Sequence, residues 1–252
     1  MPLWRTILQA SYGAVYFRKV NMSEQQRKIY QSEGDRYEAL ISREDYQGNI
    51  QKAIDEIINV DGLDAIDLGA GTGRLTLLLA PRARSIRAFD ASAEMLRVCR
   101  QRLVANGLSN WQVDVADHRQ LPVQDHSADL VVSGWSVSYL SVWNQENGAL
   151  ELDKWLTEMK RVLRQDGTII LLESLGTGNE EPVRLEHVES TYQWLDANSF
   201  QHKWIRTDYQ FESVDEAADL AGFFFGEGMT AQVLEKQSTI LPECTGVWWR
   251  NV

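Results

Sequence analysis

Cysteine, histidine and proline are scarce in this 252-residue chain, at two, four and five residues. The two cysteines, Cys99 and Cys244, lie too far apart in sequence to frame a disulfide scaffold or a cysteine-rich zinc site. They read as buried, reduced thiols. The scattered histidines suggest no metal site either. No run of 18 apolar residues occurs, so no membrane-spanning helix is expected. Basic residues number 25 against 36 acidic ones, for a formal net charge of −11. An acidic surface without a basic patch repels phosphate backbones, which excludes nucleic acid as a partner. A small neutral or cationic molecule is the better candidate. Repeats and low-complexity tracts are also missing, while 44% hydrophobic residues are enough for a sizeable core.

The charge is uneven. Residues 1–21 carry Arg5, Arg18 and Lys19 and no acid, leaving 22 basic and 36 acidic residues, or −14, beyond them. This stretch reads as an N-terminal extension, with organellar targeting as the alternative. Otherwise a cytoplasmic location is expected. Residues 22–252 then read as one domain, in which a helical segment (about 22–60) precedes the first strand.

From Asp64 onward strands and helices alternate. Strands are expected at 65–68, 85–89, 111–115, 130–133 and 168–172, with helices at 74–80, about 92–105 and 149–164. Ser92 is the expected N-cap of the second of these helices and Asn106-Gly107 its stop. Met95, Cys99 and Leu103 share its inner face, and Arg97, Arg100 and Arg102 are expected in water. After Leu172 the rhythm changes. An inserted helix is expected within 180–200, in an insertion at about 176–200, followed by two long strands, 201–211 and 238–249, that flank a broken helix. This pattern specifies an α/β, Rossmann-like doubly wound sheet, mostly parallel with an antiparallel C-terminal hairpin. Ligands in such sheets bind at the carboxyl ends of the strands.

The first strand runs into Asp67-Leu68-Gly69-Ala70-Gly71-Thr72-Gly73. Such a loop brings a ligand close to the backbone and leaves amide groups free. A dinucleotide site of the form G-x-G-x-x-G would need glycine at position 74, which is Arg74. The acid at the strand's end repels a pyrophosphate and suits an ammonium group. Asp90 ends the second strand, where an acid can accept both hydroxyls of a ribose. Asp117 and His118 follow the third, where a carboxylate can take an exocyclic amine.

These residues resemble the class I S-adenosylmethionine-dependent methyltransferases, particularly the small-molecule group of the ubiquinone and menaquinone biosynthesis enzymes. The matching pieces are IDLGAGTGRL at 66–75, FDASAEML at 89–96, DHRQLP at 117–122 and ADLVVSGWSVSYL at 128–140. The resemblance implies a seven-stranded sheet, S-adenosylmethionine as cofactor and S-adenosylhomocysteine as product. By position, Asp67 with Gly69, Ala70, Gly71, Thr72 and Gly73 would hold the methionine part. Asp90 would hold the ribose hydroxyls and Asp117 with His118 the adenine, with Ala91 and Met95 also at the cofactor. Ser133, Gly134 and Trp135 would line the methyl-donor pocket, and an N-terminal helix around Tyr30, Tyr37 and Tyr46 would lie over the site as a lid. No N-P-P-[YF] follows the fourth strand, which argues against methylation of bases or glutamine.

No catalytic signature is evident, as expected for a displacement that needs mainly alignment. Tyr37, Tyr139, Tyr192 and Trp194 are the candidates for the acceptor pocket, because aromatic walls exclude water and bind cations. The expected function is methyl transfer to a small-molecule acceptor by a monomer or homodimer. The alternatives are a regulatory protein that binds the cofactor without turnover and, less favoured, a nicotinamide-dependent oxidoreductase.

Overall fold

The computed structural model describes residues 22–144 and 146–252. The extension at 1–21 lies outside the described residues. Three helices, α1 (Met22–Ser32), α2 (Gly34–Ile41) and α3 (Asn49–Asp55), precede strand β1 (Asp64–Leu68). Then follow α4 (Arg74–Leu79), β2 (Ser85–Asp90), α5 (Ala93–Ala105), β3 (Trp111–Val115), β4 (Ala128–Gly134), α6 (Ser138–Val142), α7 (Gly148–Val162) and β5 (Leu163–Thr177). The remainder is α8 (Glu189–Ala197), β6 (Gln201–Arg206), β7 (Tyr209–Gln210), α9 (Val214–Phe225), α10 (Glu227–Lys236), β8 (Ile240–Leu241) and β9 (Glu243–Asn251).

Seven strands form one sheet in the order β3-β2-β1-β4-β5-β9-β6. The first five run parallel, and β9 is antiparallel to both its neighbours. β7 and β8 pair separately. The central strands are apolar without interruption because both faces are covered. On one face Ile66, Leu68, Val131, Ile169 and Leu171 pack against Leu152, Trp155 and Met159 of α7 and Leu195 of α8. On the other, Ala65, Leu130, Val132, Ile170 and Leu172 meet Ile50 and Ile54 of α3 and Leu75 and Leu79 of α4. β1 lies between β2 and β4, so the strand order reverses there, and the glycine loop leaves the sheet at this point.

Ser92 caps α5 as expected, accepting from the Met95 N–H at 3.2 Å. Three expectations need correction. The arginines of α5 are not simply solvated. Arg97 pairs with Asp35 of α2 at 2.8 Å, Arg102 with Glu38 of α2 at 2.9 Å, and Arg100 donates to the Val113 carbonyl at 2.7 Å. The inserted helix is also shorter than its sequence pattern, with only 189–197 in α8 after a 3-10 turn at Glu186–Val188. β5 starts five residues before the expected strand. Its register with β4 jumps from Ala128–Leu163 to Leu130–Thr168, and the chain turns at Asp166, whose φ is +63°.

Candidate functional site at the carboxyl edge of the sheet

The carboxyl ends of β3, β2 and β1 bring Asp117, Asp90 and Asp67 to one edge, with the glycine loop beside them. Each loop glycine has a different reason to be glycine. At Gly69 (φ +64°) a Cβ would lie 1.8 Å from the Ser136 hydroxyl oxygen. At Gly73 (φ +91°) it would lie 2.6 Å from the Cys99 sulfur. At Gly71 (φ +55°) it would meet almost nothing, with the nearest atom, the Gly69 carbonyl oxygen, 4.0 Å away. Gly71 therefore faces open space, whereas Gly69 and Gly73 are fixed by packing.

The carboxylates are oriented by the backbone. Asp90 accepts from the Gly71 N–H at 3.0 Å and the Ser92 N–H at 2.7 Å, one on each oxygen. Each oxygen keeps lone pairs for a further donor. Burial raises its pKa, and the backbone donors oppose that rise. Asp67 is 1% exposed. Its Oδ2 accepts from the Thr76 hydroxyl at 2.6 Å, and its Oδ1 has no partner among the described residues. Burial pushes it up to about 7. His118 is likewise missing a partner at Nδ1, while its Nε2 is 3.4 Å from the Ser136 hydroxyl. Burial lowers its pKa, which keeps the ring neutral at pH 7.

Several expected site residues are occupied elsewhere. Asp117 is exposed, and Arg119 grips it through its backbone N–H at 2.8 Å and Nε at 2.7 Å. That guanidinium holds the carboxyl down to about 2. Ser133 donates to the Leu68 carbonyl at 2.8 Å, which ties β4 to β1 and takes its hydroxyl out of the pocket. Ala70 and Met95 are buried, Ala70 packing under the loop against α5. Thr72 offers its carbonyl to Arg102 at 2.8 Å. Ala91 follows Asp90 directly, and Gly134 lies against Leu75. Trp135 has a left-handed φ of +51° and carries the Arg74 guanidinium 4.1 Å over its ring.

The acceptor candidates divide. Tyr37 and Tyr139 join Tyr30 in an aromatic cluster, with the Tyr30 and Tyr139 hydroxyls 3.0 Å apart and Phe224 of α9 closing one side. Ser92, next to the Asp90 turn, donates to the Tyr30 carbonyl, so α1 is fastened over this edge. Tyr192 and Trp194 are corrected: both are core anchors. Tyr192 donates its hydroxyl to the Ser174 carbonyl at 2.6 Å and stacks on Trp248. Trp194 donates to Asp153 at 2.8 Å and packs against Trp155 and Phe200. Tyr46 is 44% exposed and outside the cluster. Sequence reasoning missed Ser136, Glu44 and Glu243, and it treated Arg74 only as the residue that spoils a dinucleotide motif. Only Ser136 carried a signal, being within the matched segment 128–140.

Among known proteins, residues 66–171 match the methyltransferase domain family. The ubiquinone/menaquinone biosynthesis C-methyltransferase of Rubrivivax gelatinosus is 33% identical over 112 residues, covering 44% of this chain and 39% of that protein. The malonyl-[acyl-carrier protein] O-methyltransferase of Marinomonas is 26% identical over 173 residues, covering 68% and 58%. The chain thus spans about two-fifths to three-fifths of the length of these curated relatives. The crystal structure of an S-adenosylmethionine-dependent methyltransferase from Aquifex aeolicus superposes with a TM-score of 0.53 at 15% identity, covering 92% of this chain and 98% of that one. The sheet order and this likeness define a Rossmann-like methyltransferase fold. Over residues 66–171 the chain is similar in sequence to the S-adenosylmethionine-dependent methyltransferases, and its fold is of the same kind.

Proposed function

We propose that this chain binds S-adenosylmethionine at the β1-β2-β3 half of the edge and transfers a methyl group to a small-molecule acceptor. One observation carries the reading. Two buried polar atoms, Asp67 Oδ1 and His118 Nδ1, have no partner among the described residues, and they flank a loop whose Gly71 faces open space. Buried polar atoms normally find partners, so two unpartnered ones beside this loop point to a ligand that supplies them.

The residues fit the cofactor. Asp67 Oδ1 can accept from an ammonium group, Asp90 from a ribose diol, and His118 with the remaining lone pairs of Asp117 can serve an adenine edge. When bound, S-adenosylmethionine supplies an electrophilic methyl group on a sulfonium, with a neutral thioether as leaving group. The contribution of the chain is positional. The backbone donors of Gly71 and Ser92 fix Asp90, and Thr76 fixes Asp67, so neither carboxylate reorganises on binding. Tyr30, Tyr37 and Tyr139 close the edge and exclude water from the displacement. A base is required only if the acceptor atom must lose a proton before it attacks.

The test is release of S-adenosylhomocysteine from S-adenosylmethionine in a fractionated metabolite extract, followed by mass spectrometry. Turnover in one fraction, with an acceptor mass raised by one methylene, is the expected result. Tight cofactor binding without turnover in any fraction would favour a regulatory role. Preference for NAD over S-adenosylmethionine would contradict the reading altogether.

A further inference from the structure

The other half of the carboxyl edge holds a second set of incomplete polar atoms. Arg74 opens α4 directly after the glycine loop, Glu44 lies between α2 and α3, and Glu243 opens β9 opposite Thr177 of β5. Arg74 donates to Glu44 Oε2 at 2.6 Å. Its Nη1, together with Glu44 Oε1 and Glu243 Oε2, is buried without a partner among the described residues. Glu44 and Glu243 are only 8% and 2% exposed. These groups adjoin the cofactor half through two residues. Trp135 underlies the Arg74 guanidinium, and Tyr37 lies close enough to feel the charges of Arg74 and Glu44 as well as that of Asp90.

We propose that Glu44, Arg74 and Glu243 recognise the acceptor, and that the acceptor presents an amine, held as an ammonium against the two open carboxylate oxygens. The proposal rests on the methyltransferase reading and deepens it. Charge balance decides the class of ligand. Arg74 is already neutralised by Glu44, and Glu243 has no salt-bridge partner among the described residues. Ser174 donates to its Oε1 at 2.6 Å. The neighbouring Asp208 receives the Glu243 backbone N–H at 2.9 Å and is itself paired with Arg206 at 2.8 Å. One cation thus serves two carboxyl groups. An anionic acceptor would compete with Glu44 for that one cation in a buried site, whereas a cation can exchange for the Glu243 proton and leave the set neutral.

The same geometry has a protonic signature. The titratable groups around Glu243 among the described residues are Glu44, Arg74, Asp208, the Tyr209 phenol and the Cys244 thiol. Burial, with the charge of Glu44 behind it, pushes the Glu243 carboxyl up to about 8, against the opposing pull of the Ser174 and Thr177 hydroxyls and, more weakly, of Arg74. At pH 7 it is mostly protonated. An ammonium placed beside it favours the carboxylate and expels that proton.

The experiment is calorimetric titration at pH 7, in two buffers of different ionisation enthalpy. A first titration with S-adenosylhomocysteine shows whether the cofactor site exists, and its failure would refute the methyltransferase reading. The saturated protein is then titrated with ethylamine and phenethylamine, and with ethanol, 2-phenylethanol, acetate and phenylacetate as skeleton-matched controls. The expected result is at least tenfold tighter binding of an amine than of its matched alcohol or acid, with net proton release. Glu243→Gln should weaken amine binding at least tenfold and abolish the proton release, with S-adenosylhomocysteine affinity within threefold of the parent. Glu44→Gln is the second variant and should also weaken the amines. Equal or tighter binding of the acids would overturn the proposal. So would the absence of amine binding to the saturated protein, or amine binding without proton release, and neither of these needs a variant.

Discussion

Gly71 and Gly73 stand two residues apart, and substitution should harm them differently. At Gly73 a Cβ collides with the Cys99 sulfur at 2.6 Å. Gly73→Ala should therefore destabilise the fold by about 1–3 kcal/mol through overpacking, with left-handed backbone strain added at φ +91°. Cys99→Ala should recover part of that loss, which thermal melts of the single and double variants would show. Gly71→Val meets open space instead, so its cost to the fold is backbone strain of about 1–2 kcal/mol at φ +55°. Its main effect should be at least tenfold weaker S-adenosylhomocysteine binding, measured by calorimetry. Unchanged binding would mean that the loop does not cradle the cofactor. Tyr192 belongs with Gly73, because its hydroxyl is used by the Ser174 carbonyl. Tyr192→Phe should lower stability by about 1 kcal/mol and leave cofactor affinity unchanged.

Among the elements, α2 is fastened to the β1-β2-β3 edge by ion pairs from one helix, α5. Arg102 of α5 reaches Glu38 of α2 at 2.9 Å and the Thr72 carbonyl of the glycine loop at 2.8 Å. Gly34 lets α2 approach α5 closely, since a Cβ there would come within 3.1 Å of Val98. Arg102→Ala should leave the half-buried Glu38 without its cation and loosen α1 and α2. Faster hydrogen exchange in 22–41 and several-fold faster release of S-adenosylhomocysteine are expected. Unchanged exchange there would show that Arg102 does not hold these helices.

What the sequence revealed divides along the same elements. Strands β1 to β4 were legible to within a residue or two, because local apolarity marks them, whereas β5 runs five residues beyond its expected bounds at each end. Ser92 and Asn106-Gly107 marked the ends of α5 by turn chemistry. The helix at 189–197 was overextended because the residues before it are polar and apolar in a helical rhythm that tertiary contacts do not use. Asp67 and Asp90 were legible because strand ends and loop spacing fix them. Glu44 and Glu243 were not, since 199 residues separate two side chains that only folding unites. The roles of Tyr192 and Trp194 were misjudged because periodicity shows that a face is apolar but not what it packs against.

For the whole molecule, raised carboxyl groups make stability depend on pH. Asp67, buried, sits at about 7 in the folded chain against about 3.8 in the open one. Between those values the folded state holds the proton that the unfolded chain has lost, so this group's contribution to stability falls as pH rises. Below and above that window it is constant. Asp67→Asn removes the effect. Its stability relative to the parent should climb from pH 4.5 to 7 and then level off, as urea unfolding at several pH values would show. A relative stability that fell across that range would reverse the sign and refute the burial argument.

The central claim is that the carboxyl edge of β1, β2 and β3 holds S-adenosylmethionine, and one calorimetric pair tests it. The parent chain should bind S-adenosylhomocysteine, and Asp90→Ala, which removes the acceptors for the ribose hydroxyls, should bind it about 1–3 kcal/mol more weakly while melting as a folded protein. No binding by the parent, or equal binding by a folded Asp90→Ala chain, would contradict the account.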